Sequence, residues 1–197
     1  MTVVGVDTDI RSLAEIDHLV LDLWRRIGSP ADAYACTHIV RVGVPHFAVS
    51  LTLPPGLVDT AVDGVRSVLP AAAAVAVVEP ETPTPAVGTD NPDPAAGAML
   101  AAREAAARTG GRAVRFPGVE RLVGDVPVSS VLAGTAIDRF AVLGGGELPE
   151  AAVLRTRDFV RPEWRGEELV LAVGATGPGL VAPFEVPNPT PCCAYHA

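Results

Sequence analysis

The sequence predicts an α/β or α+β fold, a mixed β-sheet with about three main helices and a strand-rich C-terminal part. Three observations predict it. Apolar residues recur at helical spacing near the start, short apolar runs bounded by turn residues alternate with further helical stretches, and the last third carries four strand-like runs in succession. At 197 residues one domain is the default. A sub-boundary is expected in the proline-rich stretch 80–94.

The elements follow in order. Thr2 to Val6 reads as a short strand. Thr8 or Asp9 then caps a helix over 11–27, in which Leu13, Ile16, Val20, Leu23 and Ile27 share one face. Arg11–Glu15 and Asp22–Arg26 lie four apart on the wetter side, and Gly28-Ser29-Pro30 ends the helix. His38 to Val42 and Phe47 to Leu53 are β-like and, split by Gly43-Val44-Pro45, suit a hairpin. Leu57 to Leu69 reads as a helix with Val58, Val62, Val65 and Leu69 on one side, and Ala72 to Val78 as a buried strand. Five prolines (Pro80, Pro83, Pro85, Pro92, Pro94) then rule out a core element and predict a loop or linker. Ala95 to Arg108 follows as a helix stopped by Gly110-Gly111, and Arg112 to Phe116 as a strand, giving a strand–helix–strand unit with Ala72 to Val78. Val126 to Ala133 suits a short helix. Ile137 to Leu143, Ala152 to Val160, Leu169 to Val173 and Leu180 to Val186 read as strands. Gly144-Gly145-Gly146 is expected to be a hairpin turn between the first two, and 174–179 the loop of another. The tail Pro187-Asn188-Pro189-Thr190-Pro191 must be extended.

Composition excludes several chemistries. All 15 basic residues are arginine, so nothing can form a Schiff base, anchor pyridoxal phosphate or act as a phosphate-loop lysine. A net charge of −8 argues against nucleic acid as a partner. No apolar run reaches the roughly 18 residues of a membrane helix, so no membrane partner is expected. Met1 to Asp9 lacks a basic start and carries two aspartates, which predicts no secretory signal. The three cysteines are too few and odd in number for a disulfide framework. Together these predict a soluble, cytoplasmic protein. The bias to Arg, Ala, Gly, Val and Pro is that of a GC-rich bacterial genome and carries no functional meaning.

Two clusters carry candidate chemistry. Cys192, Cys193 and His196 concentrate thiol and imidazole at the C-terminus, the donors that zinc or copper(I) selects. Cys36 and His38 alternate on one strand face and are the source of further ligands, so Cys36, His38, Cys192, Cys193 and His196 form a candidate metal set with zinc as the expected ion. The same groups without metal suggest a catalytic thiolate at Cys192 or Cys193 with His38 as base. The competing reading makes Cys36 a small core hydrophobe and the tail a frayed end. In the second cluster, Arg155 and Arg157 share a strand face and can converge on an anion, with Trp164 stacking on a ring of the substrate. The competing reading is a solvent-facing strand whose arginines pair with neighbouring acids. Two functions follow as expectations. One is a small-molecule enzyme acting on an anionic substrate through a Cys/His site. The other is a non-catalytic binding or accessory protein, homo-oligomeric through the apolar face of its first helix.

Overall fold

A computed structural model describes residues 1–41, 43–69, 73–79 and 92–187. The protein is mixed α/β, with four helices and an 11-stranded sheet that contains both parallel and antiparallel pairs. The N-terminal part is built from β1 (Thr2–Ile10), α1 (Leu13–Arg26), β2 (Tyr34–Val40), β3 (His46–Leu53), α2 (Val58–Val68) and β4 (Ala74–Val78). Its strands run β4-β1-β3-β2 with every neighbour antiparallel. Two βαβ units are therefore interleaved, each split by a strand of the other, which is the ferredoxin-like topology.

Local chemistry explains α1. The Ser12 side chain accepts from the Glu15 backbone N–H at 3.4 Å, a cap with glutamate three residues on, and Arg25 and Arg26 in the last turn suit the helix dipole. Ile16, Val20, Leu23 and Trp24 bury one face against Val4, Val6, Val49 and Leu51 of the sheet, and α2 adds Ala61 and Val65 to the same core. The surface pairs differ from the sequence expectation. Arg11 pairs with Asp9, and Asp22 with Arg25 three residues on.

The opposite sheet face is covered by α3 (Pro92–Ala107), whose Ala98, Ala101, Ala102 and Ala105 recur on one side and are buried. Small residues are required on both partners because the backbones nearly touch. A Cβ at Gly5 would lie 1.9 Å from the Ala98 carbonyl oxygen. The register places Cys36, Ser50, Gly5 and Ala76 in one cross-strand row under α3, and His38, Ala48, Asp7 and Ala74 in the next. Beneath an alanine roof, this face holds a polar stripe.

α3 leads to β5 (Arg112–Arg115), which pairs antiparallel with β2. The strand–helix–strand unit therefore exists in sequence, but its two strands are not neighbours. Three strands separate β4 from β5, because β1, β3 and β2 already occupy the sites between them. The remainder comprises β6 (Asp125–Pro127), α4 (Val128–Gly134), β7 (Arg139–Val142), β8 (Val153–Arg155), β9 (Glu163–Arg165), β10 (Glu168–Gly177) and β11 (Leu180–Pro183). The sheet continues β5-β9-β10-β11-β8-β6, with β7 also on β10, around a second core of Phe116, Ile137, Leu154, Leu169 and Leu171. The glycines 144–146 do not join a hairpin. β7 runs parallel to β10 and β8 parallel to β11, so long-range pairing displaces the local one. The strand expected over 152–160 stops at Arg155, since Arg157 and Asp158 turn the chain at φ 54° and 52°. β10 runs to Gly177, which shortens the turn before β11.

One buried ionic cluster ties the two parts together. Arg112 of β5 bonds Asp17 of α1 at 2.7 and 3.1 Å and the carboxylate of Glu185, while Arg161 reaches Asp17 at 3.3 Å. Phe159 lies under both guanidinium groups, 4.2 Å from that of Arg161.

Candidate ligand-binding cleft

The residues singled out in the sequence fall into three places. Cys36 and His38 do share a face, the one covered by α3. Cys36 is buried beside Trp164 and Ser50, and burial pushes its thiol up to about 12. It is a neutral thiol. Both nitrogens of His38 are engaged, Nδ1 with Glu104 Oε2 and Nε2 with Ser50 Oγ, each at 2.8 Å. The tautomer in which Nδ1–H donates to Glu104 and Nε2 accepts from the serine hydroxyl satisfies both ring nitrogens. Atom for atom this is the order of a hydroxyl–imidazole–carboxylate relay. However, Ser50 is 0% exposed and His38 2%, so within this closed face the chain acts as a satisfied buried network. Cys192, Cys193 and His196 lie outside the described residues. Among the described residues, no three His, Cys, Asp or Glu side chains stand close enough to share a metal ion.

Arg155 lies on β8, the fifth strand beyond β2 in the sheet order, where it pairs with Asp125 at 3.1 Å. Arg157 sits in the following turn, so the two guanidinium groups do not share a strand face. Trp164 is 6% exposed, stacks 5.5 Å from Tyr34 and lies beneath Arg108. Its ring is occupied by the protein itself.

A second buried pair completes the polar stripe. His46 Nε2 meets Asp7 Oδ2 and Nδ1 meets the Val44 carbonyl oxygen, both at 2.8 Å. The Val44 carbonyl can only accept, so Nδ1 carries a proton, and the Asp7 carboxyl beside Nε2 favours the charged ring. Burial opposes that charge most strongly, but the Val44 and Asp7 bonds outweigh it and the pKa is raised.

A cleft open to a ligand is not signalled by the sequence. It has a volume of about 720 Å³ and lies between the C-terminal end of α1 and the segment joining β5 to α4, with Trp24, Arg25, Asp32, Arg115, Glu120 and Arg121 in its walls. Its floor is made by two touching backbones. Gly118 adopts φ 83°, and a Cβ there would stand 2.3 Å from the Gly134 carbonyl oxygen. Ala136 N–H donates to the Pro117 carbonyl at 2.9 Å and fixes the same junction.

Arg115 is the distinctive group. It follows Val114 at the end of β5, opposite Ala35 on the side where α1 packs. Its Nε–H is buried and has no hydrogen-bond partner, and among the described residues no carboxylate pairs with its guanidinium. Burial lowers its pKa first and the Arg25 charge lowers it further, against a smaller upward pull from Glu120. Arg25 is already matched by Asp22 at 2.7 Å, and Arg121 lies 3.8 Å from Glu120. The cleft thus contains a partly buried cation with no counter-ion among the described residues. A planar fork with an unused donor is suited to a carboxylate or phosphate oxygen. The sequence signal was slight: a single arginine between Val114 and Phe116 in a strand.

Compared with known proteins, the chain matches no family model, no curated protein and no solved structure. No described helix is long and apolar enough to cross a membrane.

Proposed function

We propose that this protein is a cytoplasmic binder of a small organic anion, held by Arg115 in the cleft between α1 and the β5–α4 segment. This reading keeps the anionic ligand expected from the sequence and moves its recognition from Arg155 and Arg157 to Arg115. One observation supports it: the partly buried Arg115 guanidinium lines a cleft of ligand size and has no carboxylate partner among the described residues. Leaving a buried donor unmade costs about 1–3 kcal/mol, and native proteins rarely retain such a group without a partner. The apolar walls, including Leu21 and Trp24, suit an organic body attached to the anionic group.

Titration calorimetry with benzoate and phenyl phosphate tests the reading, using wild type and Arg115→Met. A hydrogen bond to a charged group contributes about 1.5–3 kcal/mol. The substitution is therefore expected to weaken binding about 10- to 150-fold. Binding that is equal in the two proteins, or absent for both acids, removes the reading.

A further inference from the structure

The cleft walls carry charge of both signs, and the balance between them is small. Arg25, Arg115 and Arg121 line it together with Asp32 and Glu120, so the lining holds one positive charge more than negative. Arg25 is matched by Asp22 and Arg121 lies beside Glu120, whereas among the described residues Arg115 has no carboxylate. The charges that act on the Arg115 guanidinium are those of Arg25 and Glu120, which push its pKa in opposite directions. At Arg115 the Glu120–Arg121 pair is therefore felt through its carboxylate. One negative charge brought to Arg115 neutralises the lining. A second one leaves the cleft with an excess of negative charge and meets the field of Glu120 in a partly buried place, where screening is weaker than in water. Leu21, Trp24, Phe116 and Val119 supply an apolar remainder, which offers no partner to a further charge.

We infer that the ligand is a monoanion, an organic acid with one carboxylate on an apolar body, and that Glu120 is the residue that excludes dianions such as phosphate monoesters. The inference rests on the anion-binding reading and specifies its ligand class. A carboxylate matches the planar fork of Arg115. Selection against the dianion comes from a repulsive group in the wall, the means by which a site rejects a ligand that its attractive contacts alone would accept.

The test is titration calorimetry near neutral pH and at low ionic strength, on wild type, Glu120→Gln and Arg115→Met. Four aryl ligands separate charge from the kind of acid. Benzoate and methyl phenyl phosphate are monoanions, while isophthalate and phenyl phosphate are mainly dianions, the latter because a phosphate monoester loses its second proton at a pKa of about 6. Wild type is expected to bind each monoanion about tenfold or more tightly than the dianion of the same acid type. In Glu120→Gln the dianions should gain more than the monoanions and the gap should shrink by about threefold or more, while Arg115→Met loses the monoanions. If the dianions bind wild type as tightly as the monoanions or more so, with binding still lost in Arg115→Met, the monoanion inference is overturned and the anion cleft stands. An unchanged gap in Glu120→Gln overturns it in the same way. If none of the four binds, or Arg115→Met binds them as wild type does, both readings fall. Glu120 is exposed and its one ion pair is exposed too, so its substitution leaves the fold intact.

Discussion

Arg115 should destabilise the protein that holds it. Its Nε–H is buried and has no partner among the described residues, and its charge sits under the repulsion of Arg25. Arg115→Met keeps most of the stem's bulk and removes both penalties. An unsatisfied buried donor costs about 1–3 kcal/mol, so the variant should be more stable by about that amount. For a chain of this length each kcal/mol moves the melting temperature by about 2–4 °C, which gives a rise of about 2–12 °C. Urea unfolding followed by tryptophan fluorescence and by circular dichroism, without ligand, reads the difference directly. The wild type should regain the deficit when a bound anion is in large excess, because ligand binding stabilises by about 2.7 kcal/mol at a hundredfold excess over Kd. A variant less stable than wild type by more than about 1 kcal/mol would mean that Arg115 is a structural residue, and the reasoning would be refuted.

Other parts of the structure make separate predictions. Asp17→Asn leaves two mostly buried guanidinium groups, Arg112 and Arg161, facing Glu185 alone, and should cost about 3–5 kcal/mol in urea unfolding; a loss under 1 kcal/mol would contradict the network's role. The raised pKa of His46 fixes a pH dependence. Its stabilisation is complete below the unfolded value of about 6.5 and is lost as pH rises through the folded one, so the stability gap between wild type and His46→Ala should shrink with increasing pH. A gap that widens towards alkaline pH would contradict the raised pKa. Cys36, its thiol pushed up to about 12, should resist iodoacetamide at pH 8 in the folded protein and react in urea, as peptide mapping would show. Gly5→Ala drives a methyl into the Ala98 carbonyl and should destabilise by about 1–3 kcal/mol or more, measured by thermal unfolding.

The N-terminal element order was legible because each element carries its own pattern. The 3–4 spacing of Ile16, Val20 and Leu23 marks α1, and Gly43 to Pro45 separates two strands that do pair. Pairing order was not legible. Nothing local in 112–116 says that β5 joins β2, and the three residues of β9 follow Pro162 too closely to show a period. Gly144 to Gly146 looked like a hairpin because adjacency is the only information a sequence offers about partners, whereas β7 and β8 find theirs about 30 residues away in β10 and β11. The site shows the same division. That Cys36 and His38 share a face follows from strand alternation, but Glu104, 66 residues from His38, enters only through the packing of α3. Arg155 and Trp164 attracted notice as conspicuous residue types, and the structure spends both on internal contacts. Arg115 stands out in sequence only by its apolar neighbours, and its significance lies in a partner that it lacks among the described residues.

The most direct measurement is the ¹⁵N–¹H signals of the Arg115 guanidinium, followed by NMR while benzoate and phenyl phosphate are titrated in. A ligand held by this guanidinium must hydrogen bond to it, so its signals should move and exchange more slowly with water on binding, with backbone shifts clustered at Gly118 and Gly134. Binding that leaves these signals in place, with shifts on the β8–β6 edge around Arg155 instead, would contradict the assignment of the cleft.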